Sequence, residues 1–308
     1  MQPRTFLRNF HKLPDNFKGA IVILIGTMFL VLMTTIVKLL GERLHVFQIL
    51  MLRQVFLTAI ISPVILRNFP GALRTERPML QITRIAAAVI GMLGGFTAVI
   101  HIPLADATAI SFVKAFFVTI FAILILSEPV GLRRWAAVAT GFLGVVIMLR
   151  PGTEGFSIYG LMALAGAAGA GMVMVIIRLL TRTERTTTIM SWQAIGVGLV
   201  MTGPGLYFWQ WPTVNEWLLL AALGAVGYAG QFCNIVGYRY GEASVMAALD
   251  YFRLIYAVIF GYLLFDQLPG LGTWIGAGII VAASLYTIER ERRMKQVLLR
   301  TPEGRGLS

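Results

Sequence analysis

Two stretches decide the fold: residues 105–129, ADATAISFVKAFFVTIFAILILSEP, and residues 241–269, GEASVMAALDYFRLIYAVIFGYLLFDQLP. Each is an apolar run long enough to cross a bilayer, which takes about 20 residues. Each also carries charge near its middle: Lys114 in the first, Asp250 and Arg253 in the second. A charge at the bilayer centre costs at least ~2.5–3.5 kcal/mol, so such a side chain must face a cavity or a partner. Lys114 and Asp250 are 136 residues apart and occupy matching places in their segments.

Similar runs fill nearly the whole chain of 308 residues, of which 57% are apolar and only 13% charged. A soluble domain carries about 25% charged residues. The pattern predicts an all-α integral membrane protein with ten transmembrane helices: Gly19–Leu40, Val46–Leu66, Met79–Ile100, Ala105–Leu126, Trp135–Leu149, Ile158–Leu179, Thr188–Trp209, Trp217–Tyr238, Ala243–Phe265 and Thr273–Ile288. Short tails flank them, residues 1–18 and 290–308. The first tail is basic but has no apolar core before Gly19 and no small-residue cleavage site, so no cleaved signal peptide is expected.

Of the 26 Lys and Arg, 18 fall in the two tails and the even-numbered loops, whereas the odd loops hold only Arg43 and Arg150. Basic residues stay on the cytoplasmic side, so both ends are expected there, in a bacterial inner membrane. The same placement explains the net charge of +12 by anionic lipid at the membrane surface, and no nucleic-acid partner is expected. A single cysteine, Cys233, excludes an intramolecular disulfide and is expected to be a small core residue.

The halves are weakly self-similar at a spacing of about 136–140 residues. Lys38-Leu39-Leu40 matches Arg178-Leu179-Leu180, and Arg53 matches Gln193. Gly95-Phe96 matches Gln231-Phe232, Ala105-Asp106-Ala107-Thr108 matches Gly241-Glu242-Ala243-Ser244, and Trp135 matches Trp274. The repeats span residues 19–150 and 155–289. A unit of five helices places the next unit upside down in the membrane. Inverted repeats of that kind are a common build for secondary transporters, with the substrate site at their interface. Gly91, Gly95, Gly166, Gly169, Gly171, Gly272 and Gly276 have the small-residue spacing of close helix contacts.

The interior polar residues predict a cavity lined by Lys114, Asp250 and Arg253, with Arg53 or Arg84 nearby. Tyr251, Tyr256 and Phe117 are its candidate aromatic lining. Gln193, Gln231 and Asn234 are further hydrogen-bonding candidates. Basic groups outnumber the one acid, which favours an anionic or zwitterionic small molecule. Asp250 is the candidate for carrying a coupling proton. The rival reading makes the same charges an ion-pair network that holds helices together. Lys38 and Arg178, near span ends, are expected to extend their heads toward the membrane surface. His101 and Pro103 are expected to act at the turn that ends the third helix. No HExxH, GxSxG, P-loop or histidine cluster occurs. Neither an enzyme, a metal nor a cofactor is therefore expected.

The segments quoted above, with the VKLL…LMLRQ stretch holding Lys38 and Arg53, the glycine-rich fifth helix with Gly144, and TWIGAGIIVAASLY, resemble the drug/metabolite transporter superfamily in its ten-helix, two-EamA-domain branch. The resemblance covers about Gly19 to Glu289. It places acids after the fourth and ninth helices, matched by Glu128 and Asp266. It implies two inverted five-helix units around a central cavity and a secondary carrier, often an exporter. The expectation is an exporter or exchanger of a carboxylate-bearing metabolite, an amino acid first, working by alternating access. An organic-cation or drug efflux carrier is the alternative, a membrane-embedded enzyme a distant one. Oligomeric state is left open between monomer and homodimer.

Overall fold

The computed structural model describes residues 15–71, 73–126, 132–149, 157–240 and 243–300, and every regular element among them is a helix. The first half contributes α1 (Asp15–Leu40), α2 (Val46–Arg67), α3 (Pro78–His101), α4 (Leu104–Ser111), α5 (Lys114–Leu126) and α6 (Leu132–Leu149). The second contributes α7 (Ile158–Leu180), α8 (Thr186–Tyr207), α9 (Val214–Tyr240), α10 (Ala243–Asp250), α11 (Phe252–Phe265) and α12 (Leu271–Arg300). Seven segments among the described residues are long and apolar enough to cross a membrane. Trp135–Leu149 and Leu271–Tyr286 are shorter apolar helices. Glu128, Arg150 and Glu242 lie outside the described residues, and α12 continues into the expected tail as far as Arg300.

Local chemistry sets the helix ends. Ser157 caps α7 by accepting the Tyr159 N–H at 3.2 Å, and His45 Nδ1 accepts the Phe47 N–H at 3.4 Å at the start of α2. Pro78 opens α3, where its missing N–H costs nothing. Asp266 closes α11 in the left-handed region, φ 51° and ψ 35°. There its N–H bonds to the Tyr262 carbonyl at 3.1 Å, and Gln267 N–H bonds to the Gly261 carbonyl at 3.0 Å. This is the glycine-type helix stop filled by a residue whose short polar side chain tolerates the conformation.

The fourth and ninth segments, expected as continuous helices, are each broken. Phe112 and Val113 separate α4 from α5, and Tyr251 separates α10 from α11. At both places the hydrogen bonds tighten to three-residue spacing: Val113 N–H to Ile110 at 3.0 Å, Phe116 N–H to Val113 at 2.9 Å, Leu254 N–H to Tyr251 at 3.0 Å. A tightened turn inside a helix marks a hinge or a strained sequence. The two breaks flank Lys114 and Asp250.

The halves interlock. α3 packs along α7 and α1 along α9, while α2 meets α8 and α6 meets α12. Exchanging the halves turns this pattern into itself. Each pair is antiparallel. In α3 and α7, Ala87 and Gly91 lie at Gly169, and Gly94 lies at Gly166 and Met162. In α1 and α9, Gly19 and Ile23 lie at Gly237, and Gly26 lies at Gly230. In α6 and α12, Met148 lies at Gly276, and Gly144 lies between Gly276 and Ile280. α6 and α12, which correspond in the two halves, thus run in opposite directions.

The tightest crossings use glycine. A Cβ on Gly94 would sit 2.4 Å from the Met162 carbonyl oxygen, and one on Gly26 would sit 3.2 Å from the Gly230 carbonyl oxygen. Gly26 and Gly166 correspond in the two halves, so one contact is made twice.

Lys38 corrects one expectation. Its side chain is only 5% exposed and does not reach for the surface. Its Nζ donates to the carbonyls of Val99 at 2.9 Å and Ile102 at 2.7 Å, and lies 5.4 Å from the centre of the Phe265 ring. It therefore satisfies the free carbonyls at the end of α3, where Pro103 stops the helix. Its counterpart Arg178 is exposed.

Two substitutions test this packing. Gly94→Ala should destabilise the detergent-solubilised protein by about 1–3 kcal/mol, because backbone on both sides of the α3–α7 crossing must move. Gly95→Ala, whose Cβ would meet nothing within 4 Å, should leave thermal stability unchanged. Lys38→Met should cost about 1–3 kcal/mol by leaving buried carbonyls without a donor.

Candidate functional site

The structure divides the expected cavity residues into two groups on the seam between the halves. Lys114 opens α5, Asp250 ends α10, and Arg253 lies in the first turn of α11. The two breaks, one in each half, meet at Phe112 and Tyr251. Lys114 lies within electrostatic reach of both Asp250 and Arg253. Arg253 Nη1 is 3.6 Å from Asp250 Oδ2, an i, i+3 pair across the break, with both side chains mostly buried. Arg253 Nε is buried without a hydrogen-bond partner. Tyr251 sits in the break itself, its ring 4.6 Å from that of Phe112. Two cations and one acid in this cluster leave one positive charge in excess.

Tyr238 of α9 also lies within electrostatic reach of Asp250, Tyr251 and Arg253. Sequence reasoning missed it, because a tyrosine near a span end ordinarily marks the membrane interface.

The second group surrounds Arg53 on α2. Arg53 is 7% exposed. It lines a cavity of about 80 Å³ shared with Leu57, Met190, Gln193, Tyr228 and Gln231. Its Nη1 donates to Gln54 Oε1 at 2.8 Å, and its guanidinium carbon is 5.8 Å from the centre of the Phe96 ring. Its Nε is buried with no partner. No carboxylate among the described residues lies within ion-pair distance of it. Glycines at 224 and 227 hold α9 close to α2: a Cβ on Gly227 would lie 3.9 Å from Arg53 Nη2.

Arg84 is 2% exposed and enclosed between α3 and α8. Its Nη1 donates to the Ile189 carbonyl at 2.7 Å, and its Nη2 donates to Gln193 Oε1. Arg84 thus fixes the amide of Gln193, which lines the Arg53 cavity. Its reach toward Gln193 depends on the α3–α8 contact, which is a tertiary fact.

Three further candidates lie in packing contacts. The Phe117 ring is 5.3 Å from Phe142, edge to face, and 6.0 Å from Phe121. Tyr256 packs on the main apolar core. Asn234 lies at the α1–α9 crossing, where its backbone nitrogen is the near neighbour of Gly26. Nothing among the described residues groups His, Cys, Asp and Glu as a metal site would require.

A larger cavity, about 770 Å³, opens at the end of the bundle where α1, α3 and α11 finish. It is lined by Lys38, Glu42, His101, Asp266 and Gln267. Lys38 is spent there on α3 carbonyls, so this opening carries less free positive charge than its residue list suggests.

The chain matches the model of the EamA-like transporter family twice, over residues 17–150 and 157–288. It is 29% identical over 256 residues to a protein of Rickettsia prowazekii named S-adenosylmethionine uptake transporter, covering 83% of this chain and 87% of that one. It is 29% identical over 235 residues to a riboflavin transporter of Brucella anthropi, covering 74% and 83% of the two chains. A pseudopaline exporter of Pseudomonas aeruginosa is 24% identical over 278 residues, covering 89% and 97%. A solved crystal structure shares the fold at a TM-score of 0.58 and 18% identity, over 90% of this chain and 97% of that one. The apolar helices and these relatives make the protein a multi-pass membrane transporter of small molecules. Matched by the family in both of its halves, the chain belongs to the EamA-like transporters.

Proposed function

We propose that the protein is a secondary carrier for a small metabolite bearing a carboxylate, working by alternating access along the seam between its halves. In this reading ten segments cross a bacterial inner membrane as two inverted five-helix units, residues 19–150 and 155–289. Both chain ends then face the cytoplasm. Two of the loops that carry basic residues meet at one end of the bundle, where Thr75 and the Arg77 N–H donate to Glu184.

The observation that carries the cargo class is Arg53. A buried guanidinium with five donors uses one of them and faces a cavity without an acid. Removing such a charge from water without a partner is costly. If its role were to hold helices together, a neighbouring helix would supply the acceptors, as α8 does for Arg84. A visiting carboxylate satisfies Arg53 with paired N–H···O bonds, while Gln193 and Gln231 supply neutral donors beside it. The positive excess at Lys114, Asp250 and Arg253 adds a second attraction for the same anion.

A second reading has its own observation. Tyr238 and Tyr251 lie within electrostatic reach of Asp250, and the Tyr251 ring packs against Phe112, a setting suited to an organic cation. S-adenosylmethionine, named for the Rickettsia relative, carries both a carboxylate and cationic groups, so one cargo could use both poles.

Thermal unfolding against a panel of amino acids, organic acids and organic cations tests both. A ligand at 100 times its Kd raises stability by about 2.7 kcal/mol. The shift from a carboxylate ligand should vanish in Arg53→Gln and persist in Arg182→Gln. A cation whose shift survives Arg53→Gln and Lys114→Gln but is lost in Asp250→Asn would establish the second reading instead. In proteoliposomes, Asp250→Asn should abolish proton-driven flux and leave exchange intact; driven flux that survives removes Asp250 as the proton carrier.

A further inference from the structure

Each end of the bundle carries a polar clasp between the halves, and the two clasps occupy corresponding places in the repeat: the first holds an ion pair, the second a carboxylate held by neutral donors. At the first end, Arg43, just after α1, pairs with Glu216 in the first turn of α9 and donates to the Trp211 carbonyl at 2.9 Å. Gln48 Nε2 donates to the Gln210 carbonyl at 2.6 Å, and Gln48 Oε1 accepts the Gln210 N–H at 3.0 Å. Glu216 also accepts the Thr213 N–H at 2.6 Å, so its carboxylate already serves the N-terminus of α9.

At the second end, Glu184, just after α7, accepts from Thr75 and Gln81 and from the Arg77 N–H at 3.2 Å. Thr188 donates to the Gly71 carbonyl and Trp192 to the Leu73 carbonyl. Arg77 precedes α3 and has no side-chain cap of its own. The Glu184 carboxylate therefore caps α3 from the other half of the molecule, where the helix dipole favours negative charge.

The correspondence runs residue by residue. Gln48 and Thr188 occupy equivalent positions, 140 residues apart, and bond backbone at Gln210 and Gly71, which are 139 apart. Leu44 corresponds to Glu184, one position from Arg43, and Arg77 corresponds to Glu216. The first clasp takes its cation from the loop and its acid from the third helix of the opposite half; the second takes its acid from the loop. Lys38, two residues before α1 ends and the first clasp's loop begins, binds the last turn of α3, whereas the second clasp holds the first turn of α3. The 24 residues of α3 thus set the clasps about 36 Å apart, on opposite sides of the bundle.

We infer that these clasps are the two gates of the carrier, Arg43–Glu216 with Gln48–Gln210 on one side and Glu184 with Thr75, Arg77 and Gln81 on the other. Each opens while its copy stays shut. This rests on the carrier reading of the seam. The two electrostatic designs allow each side to be tuned separately, since one charge change touches only one gate.

Distances between spin labels test the inference without any cargo. In a Cys233→Ala background, one pair is placed at Glu42→Cys and Val214→Cys and the other at Glu76→Cys and Arg182→Cys. Glu216→Gln should lengthen the first distance and leave the second; Glu184→Gln should do the reverse. Thr75→Val, which removes one donor to Glu184 and no charge, should lengthen the second distance by less. Should both distances lengthen together in either charge variant, or neither move in both, the gates are refuted. The cargo reading would still stand or fall on the ligand-dependent stability shifts.

Discussion

Charge sealed among apolar helices has to find oxygen, and this chain shows three ways of doing so. Lys38 finds it in the carbonyls that α3 leaves free where Pro103 stops it, so the cation and the helix end satisfy each other. Arg84 finds it in the Ile189 carbonyl and the Gln193 amide across the α3–α8 contact. Arg53 finds only Gln54. In a low-dielectric interior an unpaired charge is far more costly than in water, so the difference between Arg84 and Arg53 is energetic as well as geometric. Arg84 is satisfied across a helix contact, whereas the Nε of Arg53 is left without a partner.

That division depends on how closely the halves approach. Glycines at the α1–α9 and α3–α7 crossings bring backbones together at two equivalent places. Helix association inside a membrane relies on such van der Waals contact, because lipid tails offer no hydrophobic incentive. The crossings fix α3 against α7 and α9 against α1 and leave the broken α4–α5 and α10–α11 rods beside them. Lys114 and Asp250 therefore sit where backbone geometry is least regular and the two halves meet. A seam of this kind can carry polar groups because they face one another across it, whereas on a lipid-facing surface they would be stranded.

The candidate site was partly legible in the sequence. Lys114, Asp250 and Arg253 stand out because charges within long apolar runs need an explanation, and their matched spacing placed them face to face. Gln193 and Gln231 are candidates by the same logic, and both line the Arg53 cavity. Arg84 stands beside them in the sequence, which has no means of telling a guanidinium that braces a neighbour from one that faces a cavity. Nothing in the sequence singles out Tyr238, Tyr228 or Gln54. Tyrosines in apolar helices are common, and what distinguishes these is the neighbour brought to them by helix docking. The breaks at Phe112–Val113 and Tyr251 were invisible for a related reason: neither contains glycine or proline, the residues that punctuate a helix in sequence.

The sequence by itself determined that this chain is helical, that it crosses a membrane repeatedly and that it is built twice. Those properties follow from one-dimensional quantities: the length of apolar runs, the side on which arginine and lysine collect, and the recurrence of residue pairs at a fixed spacing. The tertiary structure alone decided which helices touch, and hence which charges are paired. Hydrogen bonds between Gln48 and Gln210, or between Glu184 and the first turn of α3, join residues more than 100 positions apart. Their existence depends on how the halves dock, because a polar side chain specifies that it needs a partner and leaves the choice of partner to the packing around it.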